Sequence, residues 1–228
     1  MKIIILDLRY NTLKIKILYY VLYKMTTKEF CDRTNELKCR CLHNSSAAPP
    51  IISLHAMIRK IFADHMIYIT AFTKASIFEN PDVLYMKKRV LENANDIGMN
   101  LGRIPTVGSD NGTAITEEFV QHILLSENCI TLAKSYYCNP SVETKDRMDQ
   151  MDAVLLQQGD RLAMVISNID AQKLPFDGMQ KEIKVHNQQE LELAKLLLEG
   201  RYQDEAKACD EALNHFMATS DLIYFAVH

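Results

Sequence analysis

Residues 51–79 read IISLHAMIRKIFADHMIYITAFTKASIFE. Met57, Ile58, Ile61, Phe62, His65, Ile69 and Phe72 recur at the i, i+3, i+4 spacing of one helical face. The run contains neither proline nor glycine, and its alternation is too short for a strand. It predicts a helix over about 53–79. The same rhythm continues to the end of the chain. Asn80-Pro81-Asp82 supplies a cap and a first-turn proline for a second helix, about 81–101. Gly102 to Gly112, with Pro105, Gly108 and Asp110-Asn111-Gly112, reads as the longest loop. A third helix is expected over about 114–136. Asn139-Pro140-Ser141 repeats the cap-and-proline device before a fourth, about 140–167. Leu174 to Gly178 breaks the chain before a fifth, about 177–198. Gly200 ends that helix, and a sixth covers about 201–226. The fold class is therefore all-α: a bundle of six antiparallel helices as three helical hairpins, preceded by an irregular extension.

Outward from the bundle, Ser45-Ser46-Ala47-Ala48-Pro49-Pro50 marks a boundary. It divides the 228 residues into an apolar and basic segment (1–24), a linker (25–50) and a helical domain (51–228). The first segment, MKIIILDLRYNTLKIKILYYVLYK, is interrupted by Asp7, Arg9, Lys14 and Lys16. That is too many charges for a spanning helix, and no signal-peptide cleavage site follows. Membrane contact is expected only through residues 1–24, as a surface-bound amphipathic segment. Met25 is a second candidate start.

Composition narrows the function classes. Apolar residues are 48% and charged residues 24%, the balance of an ordinary soluble globular protein. Net charge is −3, without the basic excess that a dedicated nucleic-acid binder carries. The six cysteines (31, 39, 41, 129, 138 and 209) do not form the dense framework of a small secreted domain, which favours an intracellular setting over secretion. Cys31, Cys39, Cys41 and His43 fit no standard zinc spacing.

Three histidines and three aspartates carry the candidate chemistry. The odd helices each hold one central histidine, His65, His122 and His186; the even helices each hold a central aspartate, Asp96, Asp160 and Asp221. From histidine to turn (Asn80, Asn139, Gly200) the arms are 15, 17 and 14 residues, and from turn to aspartate 16, 21 and 21. Equal arms in a helical hairpin bring residues to the same level. The pattern suggests a threefold internal repeat with two readings. In one, each histidine is a structural partner of its hairpin aspartate, with a raised pKa and stability lost as it deprotonates. In the other, His65, His122 and His186 converge on a divalent metal, with Asp96, Asp160 and Asp221 as ligands or their supports. The residues three before the histidines are Phe62, Phe119 and Ile183, so the Glu-x-x-His pairs of carboxylate-bridged di-metal bundles are missing. Cys129, seven residues after His122, is a weaker candidate nucleophile beside a histidine. Glu190, Glu192 and Glu199, with Lys181, Lys184 and Lys195, read as mixed surface charge.

Phe62-Ala63-Asp64-His65-Met66-Ile67-Tyr68-Ile69-Thr70, Leu91 to Gly98, Phe119-Val120-Gln121-His122-Ile123, Cys209 to Ala212 and Ser220 to Ile223 occur in an order that resembles a family of small, uncharacterised all-helical proteins common in bacteria. The resemblance covers about 54–226. It implies a helical bundle and no established activity. Some members carry the labels glycosyltransferase or acetylglutamate kinase, which motifs here do not support. Departures are Tyr68 where the family has Trp, and Lys184 where it has a first histidine two before His186. If the family holds a metal there, this chain lacks one candidate ligand.

No Gly-rich phosphate loop and no Gly-x-Ser-x-Gly occur. The leading expectation is thus a non-enzymatic helical-bundle protein without a cofactor, acting as a scaffold or partner-binding module, with a protein partner or a second copy as its partner class. The alternative is a metal-binding bundle, extending to a metal-dependent enzyme, that uses the repeated His/Asp set.

Overall fold

A computed structural model of the chain describes residues 53–228. The readings made for residues 1–50 lie outside the described residues. Six helices follow one another: α1 (Leu54–Ile77), α2 (Val83–Gly102), α3 (Ser109–Cys138), α4 (Val142–Ser167), α5 (Phe176–Leu198) and α6 (Tyr202–Val227). The described residues contain no strand, and none of their helices is long and apolar enough to cross a membrane.

Each helix packs on its neighbours in sequence, and α6 closes the ring against α1. Helices α1, α3 and α5 also touch one another, so the three histidine-bearing helices form the inside of the bundle. Paired residues run in opposite order along adjacent helices: Gly102 meets Gly112, Gly98 meets Thr116, and Lys87 reaches Glu127. The interior is apolar and tightly filled, with Ile58, Phe62, Ile97, Ile115, Phe119, Leu162, Ile183, Phe216 and Ile223 fully buried.

Helix boundaries follow local chemistry. Ser53 caps α1 by accepting from the Ala56 amide. Ser141 and Thr144 form a reciprocal capping box at the start of α4, so the cap lies at Ser141 and Asn139-Pro140 stands outside the helix. Asp82 precedes α2 without a side-chain cap, and Pro81 likewise stays outside. Gly200, at φ +70°, ends α5 as expected: its amide donates to the Leu197 carbonyl and that of Arg201 to Leu196. Helix α1 ends in the same way with Glu79 at φ 52°, held from its side chain by Lys134 at 2.7 Å.

One boundary departs from the sequence reading. Helix α3 begins at Ser109, and Asp110-Asn111-Gly112 is helical rather than a turn. The longest connection among the described residues is 168–175. Gly112 serves close packing: a Cβ there would stand 2.6 Å from the Gly102 Cα and 2.6 Å from the Gly98 carbonyl oxygen. A Cβ on Gly98 would stand 2.3 Å from the Gly112 carbonyl oxygen. These contacts are with backbone, which cannot step aside cheaply. Gly112→Ala therefore destabilises the bundle by about 2 kcal/mol, although alanine is the better helix former. Melting falls by roughly 5 °C. A thermal melt that stays level or rises would contradict the packing account.

Candidate metal centre

His65 on α1, His122 on α3, and His186 and Glu190 on α5 meet inside the bundle. Each offers one ligand atom, and the four atoms lie within 4.8 Å of one another. The three imidazoles have no exposed surface, and Glu190 is 7% exposed. His186 and Glu190 are four residues apart and share the inward face of α5 with Ile183 and Asn187. The buried cluster could hold a metal ion.

The Glu190 carboxylate is the hub. Its Oε1 lies 3.1 Å from His186 Nε2, 3.2 Å from His122 Nε2 and 4.0 Å from His65 Nε2. Its Oε2 accepts from the Ser126 hydroxyl at 3.0 Å and sits 3.1 Å from His122 Nε2. Ser126 is one turn beyond His122 on α3, so one helix supplies both a ring nitrogen and the support for the carboxylate.

Asn93 on α2 fixes the state of His65. Its Nδ2 donates to the Ile61 carbonyl at 3.0 Å, which sets the amide's orientation. Its Oδ1 therefore faces His65 Nδ1, at 3.1 Å. A carbonyl oxygen can only accept, so the His65 proton sits on Nδ1. Nε2 is left with a bare lone pair, buried and without a hydrogen-bond partner, aimed toward a carboxylate oxygen. Both His186 ring nitrogens also lack a well-aligned partner.

Aromatic rings close the opposite side. His186 stacks on Phe216 at 4.2 Å and 11°, and His65 meets Phe119 edge-on at 5.2 Å. Phe62, Phe119 and Phe216 pack on one another beneath the imidazoles. The imidazoles have no exposed surface, and the titrations shift accordingly. Burial, reinforced by the neighbouring His186, drives the His65 pKa down to about 3. Burial also lowers that of His186. For Glu190, burial alone would raise the pKa, but His122 and His186 outweigh it and hold it well below the usual carboxylate range. The favoured state therefore sets uncharged His65 and His186 imidazoles beside a charged carboxylate.

The three aspartates do not join this site. Asp96 lies beside Arg89 on the outer side of α2. Asp160 is exposed and accepts from Gln180. Asp221 meets His55 at 2.7 Å and Arg59 at 3.5 Å, at the start of α1. Equal arms set the level of a residue but not its face, and one residue turns a helix by about 100°. At the level of His65 the inward position belongs to Asn93. The expected raised histidine pKa is corrected with the pairing, since His65 and His186 are both lowered. Glu190, read from sequence as surface charge, is instead the buried acid of the site. Cys129 is buried, and desolvation first, then Asp152 and Glu190, push its thiol up to about 12. It is a protonated thiol, not a ready nucleophile.

Comparison of the chain with protein-family models, curated proteins and solved structures finds no match. The functional reading therefore rests on the geometry of the site.

Proposed function

We propose that the protein is a metal-binding helical bundle in which one divalent transition-metal ion, held by His65, His122, His186 and Glu190, ties α1, α3 and α5 together. The observation that carries this is the His65 Nε2 lone pair, fixed by Asn93 and aimed at the Glu190 carboxylate with no proton between them. Two acceptors buried face to face repel, and a cation between them removes the repulsion.

The donor set fits such an ion. Ligands at about 2.0–2.1 Å around a tetrahedral centre stand roughly 3.3 Å from one another. Glu190 Oε1 is 3.1, 3.2 and 4.0 Å from the three imidazole nitrogens. Three imidazoles and one carboxylate suit zinc, iron, cobalt, nickel or copper, whereas magnesium and calcium prefer oxygen. Asn93 and Ser126 act as the groups that orient the ligands. Four buried protein donors favour a closed, structural coordination over one with an open reaction position. The scaffold expectation is thereby given a specific form: a bundle whose inner helices are clamped by an ion.

The test is a titration of the metal-free full-length chain with cobalt(II), followed by its visible absorption. One equivalent of tight binding is expected. Asn93→Leu, which frees the His65 ring, weakens it by roughly 10- to 100-fold. Saturation without a tetrahedral spectrum, or an Asn93→Leu variant that binds like wild type, would count against the reading.

A further inference from the structure

Each ligand histidine follows, by one helical turn, a backbone carbonyl that the next helix reaches with a polar side chain. Asn93 on α2 donates from Nδ2 to the Ile61 carbonyl at 3.0 Å, four residues before His65. Gln158 on α4 donates from Nε2 to the Glu118 carbonyl at 2.7 Å, four residues before His122. His215 on α6 places its Nε2 3.1 Å from the Glu182 carbonyl, four residues before His186. A helical side chain leans back over the preceding turn, so each of these carbonyls belongs to the turn that its histidine ring covers. Three helix pairs thus repeat one device in one register.

Asn93 shows what the device does. With Nδ2 on the carbonyl, its Oδ1 meets His65 Nδ1 at 3.1 Å. Gln158 is as fully buried as Asn93 and is longer by one methylene. Its Nε2 has a second acceptor on the same residue, Glu118 Oε2 at 3.3 Å, which fixes the amide with Oε1 turned away from these oxygens. That Oε1 is buried without a hydrogen-bond partner among the described residues, and so is His122 Nδ1. Leaving a buried polar atom unpaired is costly, so two such atoms at one turn of α3 call for a state that pairs them. Before an ion binds, His122 Nε2 stands 3.2 Å from Glu190 Oε1 and 3.1 Å from Oε2, and donates its proton there. With the ring proton on Nε2, Nδ1 is an acceptor, and two acceptors do not bond.

We propose that Gln158 is the positioning residue of His122, accepting from its Nδ1–H when the ion takes Nε2. The inference rests on the metal-binding reading. An imidazole that coordinates through Nε2 carries its proton on Nδ1. The Nε2 proton passes out to solvent as the bond to the ion forms, and Nδ1 takes one up, so the charge of the ring is unchanged. Gln158 Oε1 accepts that Nδ1–H, as Asn93 Oδ1 does for His65. The bond holds the tautomer and keeps Nε2 turned to the ion. Both unpaired atoms are satisfied in the loaded state and neither in the metal-free one, so the pair favours loading.

Gln158→Met keeps the length of the side chain and loses the acceptor. In a titration of the metal-free full-length chain with cobalt(II), it weakens binding by roughly 10- to 100-fold, the loss expected when a ligand's support is removed. Ser167→Ala removes a buried hydroxyl bond to the Leu174 carbonyl, nine residues further along α4. It melts earlier and binds cobalt(II) within about a factor of three of wild type, because the two sites are far apart. The imidazole proton separates positioning from packing. NMR of the zinc-loaded full-length chain with isotope-labelled histidine shows two low-field, hydrogen-bonded Nδ1–H resonances, from His65 and His122. Gln158→Met moves the His122 resonance upfield and leaves that of His65 in place. Gln158→Met binding like wild type, or a His122 Nδ1–H that does not move, overturns the assignment and leaves the metal reading intact. So does an equal loss of affinity in Ser167→Ala, which would mark general loosening of α4. Wild type that binds no cobalt(II) overturns the metal reading itself, and the assignment with it.

Discussion

Adding zinc in excess to the metal-free protein, to a free concentration a thousand times its dissociation constant, raises its melting temperature by about 10 °C. The size follows from linkage. A ligand that binds only the folded state, at a free concentration a thousand times its dissociation constant, adds about 4 kcal/mol. For a chain of this length each kcal/mol moves the midpoint by about 2–4 °C. The effect should be large here because the ligands come from α1, α3 and α5, which the unfolded chain cannot assemble. Glu190→Gln keeps the shape of the side chain and removes its charge. In that variant the zinc-dependent rise shrinks to about 4 °C or less, the linkage left when affinity has dropped a hundredfold or more. The readout is a difference between loaded and unloaded protein, so it does not depend on how the substitution alters basal stability. A full rise in Glu190→Gln would place the ion elsewhere.

The metal-free protein should also be acid-labile from a pH well above the carboxylate range. His65 has a folded pKa of about 3 against an ordinary value of 6.5, and His186 is shifted in the same direction. Between those limits the unfolded chain binds protons that the folded chain refuses. Stability is present above about pH 6.5 and is lost as pH falls through that window, by up to about 1.4 kcal/mol per pH unit for each histidine. Glu190, held low by His122 and His186, adds loss in the same direction below its ordinary value of 4.5. Thermal melts at successive pH values from 7 to 4 should show a steady fall. His65→Gln should flatten part of it between pH 6.5 and 5. The structural His–Asp pairing predicts the opposite sign, with stability lost as pH rises through a raised histidine pKa. A melting temperature that is level from pH 7 to 5, or that climbs on acidification, would contradict the site described above.

Much of this was legible in the sequence. The rhythm of residues 57–72, the Pro and Gly breaks and the spacing of the three histidines set out six helices with one histidine on each odd member. The helical packing then brings α1, α3 and α5 inside. The aspartates misled because hairpin arithmetic gives height without azimuth. Asp96 is three residues from Asn93, and that rotation separates the outer Arg89 contact from the buried His65 contact. Glu190 could have been found. Ile183, His186, Glu190, Leu193 and Leu197 keep the core spacing of α5, and a carboxylate in a core slot four residues after a histidine signals a shared site. Its flanking acids and lysines masked it. Gly112 was hidden for a different reason: Asp-Asn-Gly is a turn signal locally, and only the approach of Gly98 and Gly102 from α2 makes it a helical contact. Such a demand is tertiary and leaves no mark in local spacing.

The central claim is that the four buried side chains hold an ion, and the metal content of the full-length protein as purified tests it most directly. Elemental analysis should find close to one zinc, iron, cobalt, nickel or copper per chain, and His122→Ala should lose it. No metal in the wild type, no uptake from added zinc or cobalt, and a His122→Ala variant that only melts earlier would contradict the account. The cluster would then be a buried polar core that holds no ion.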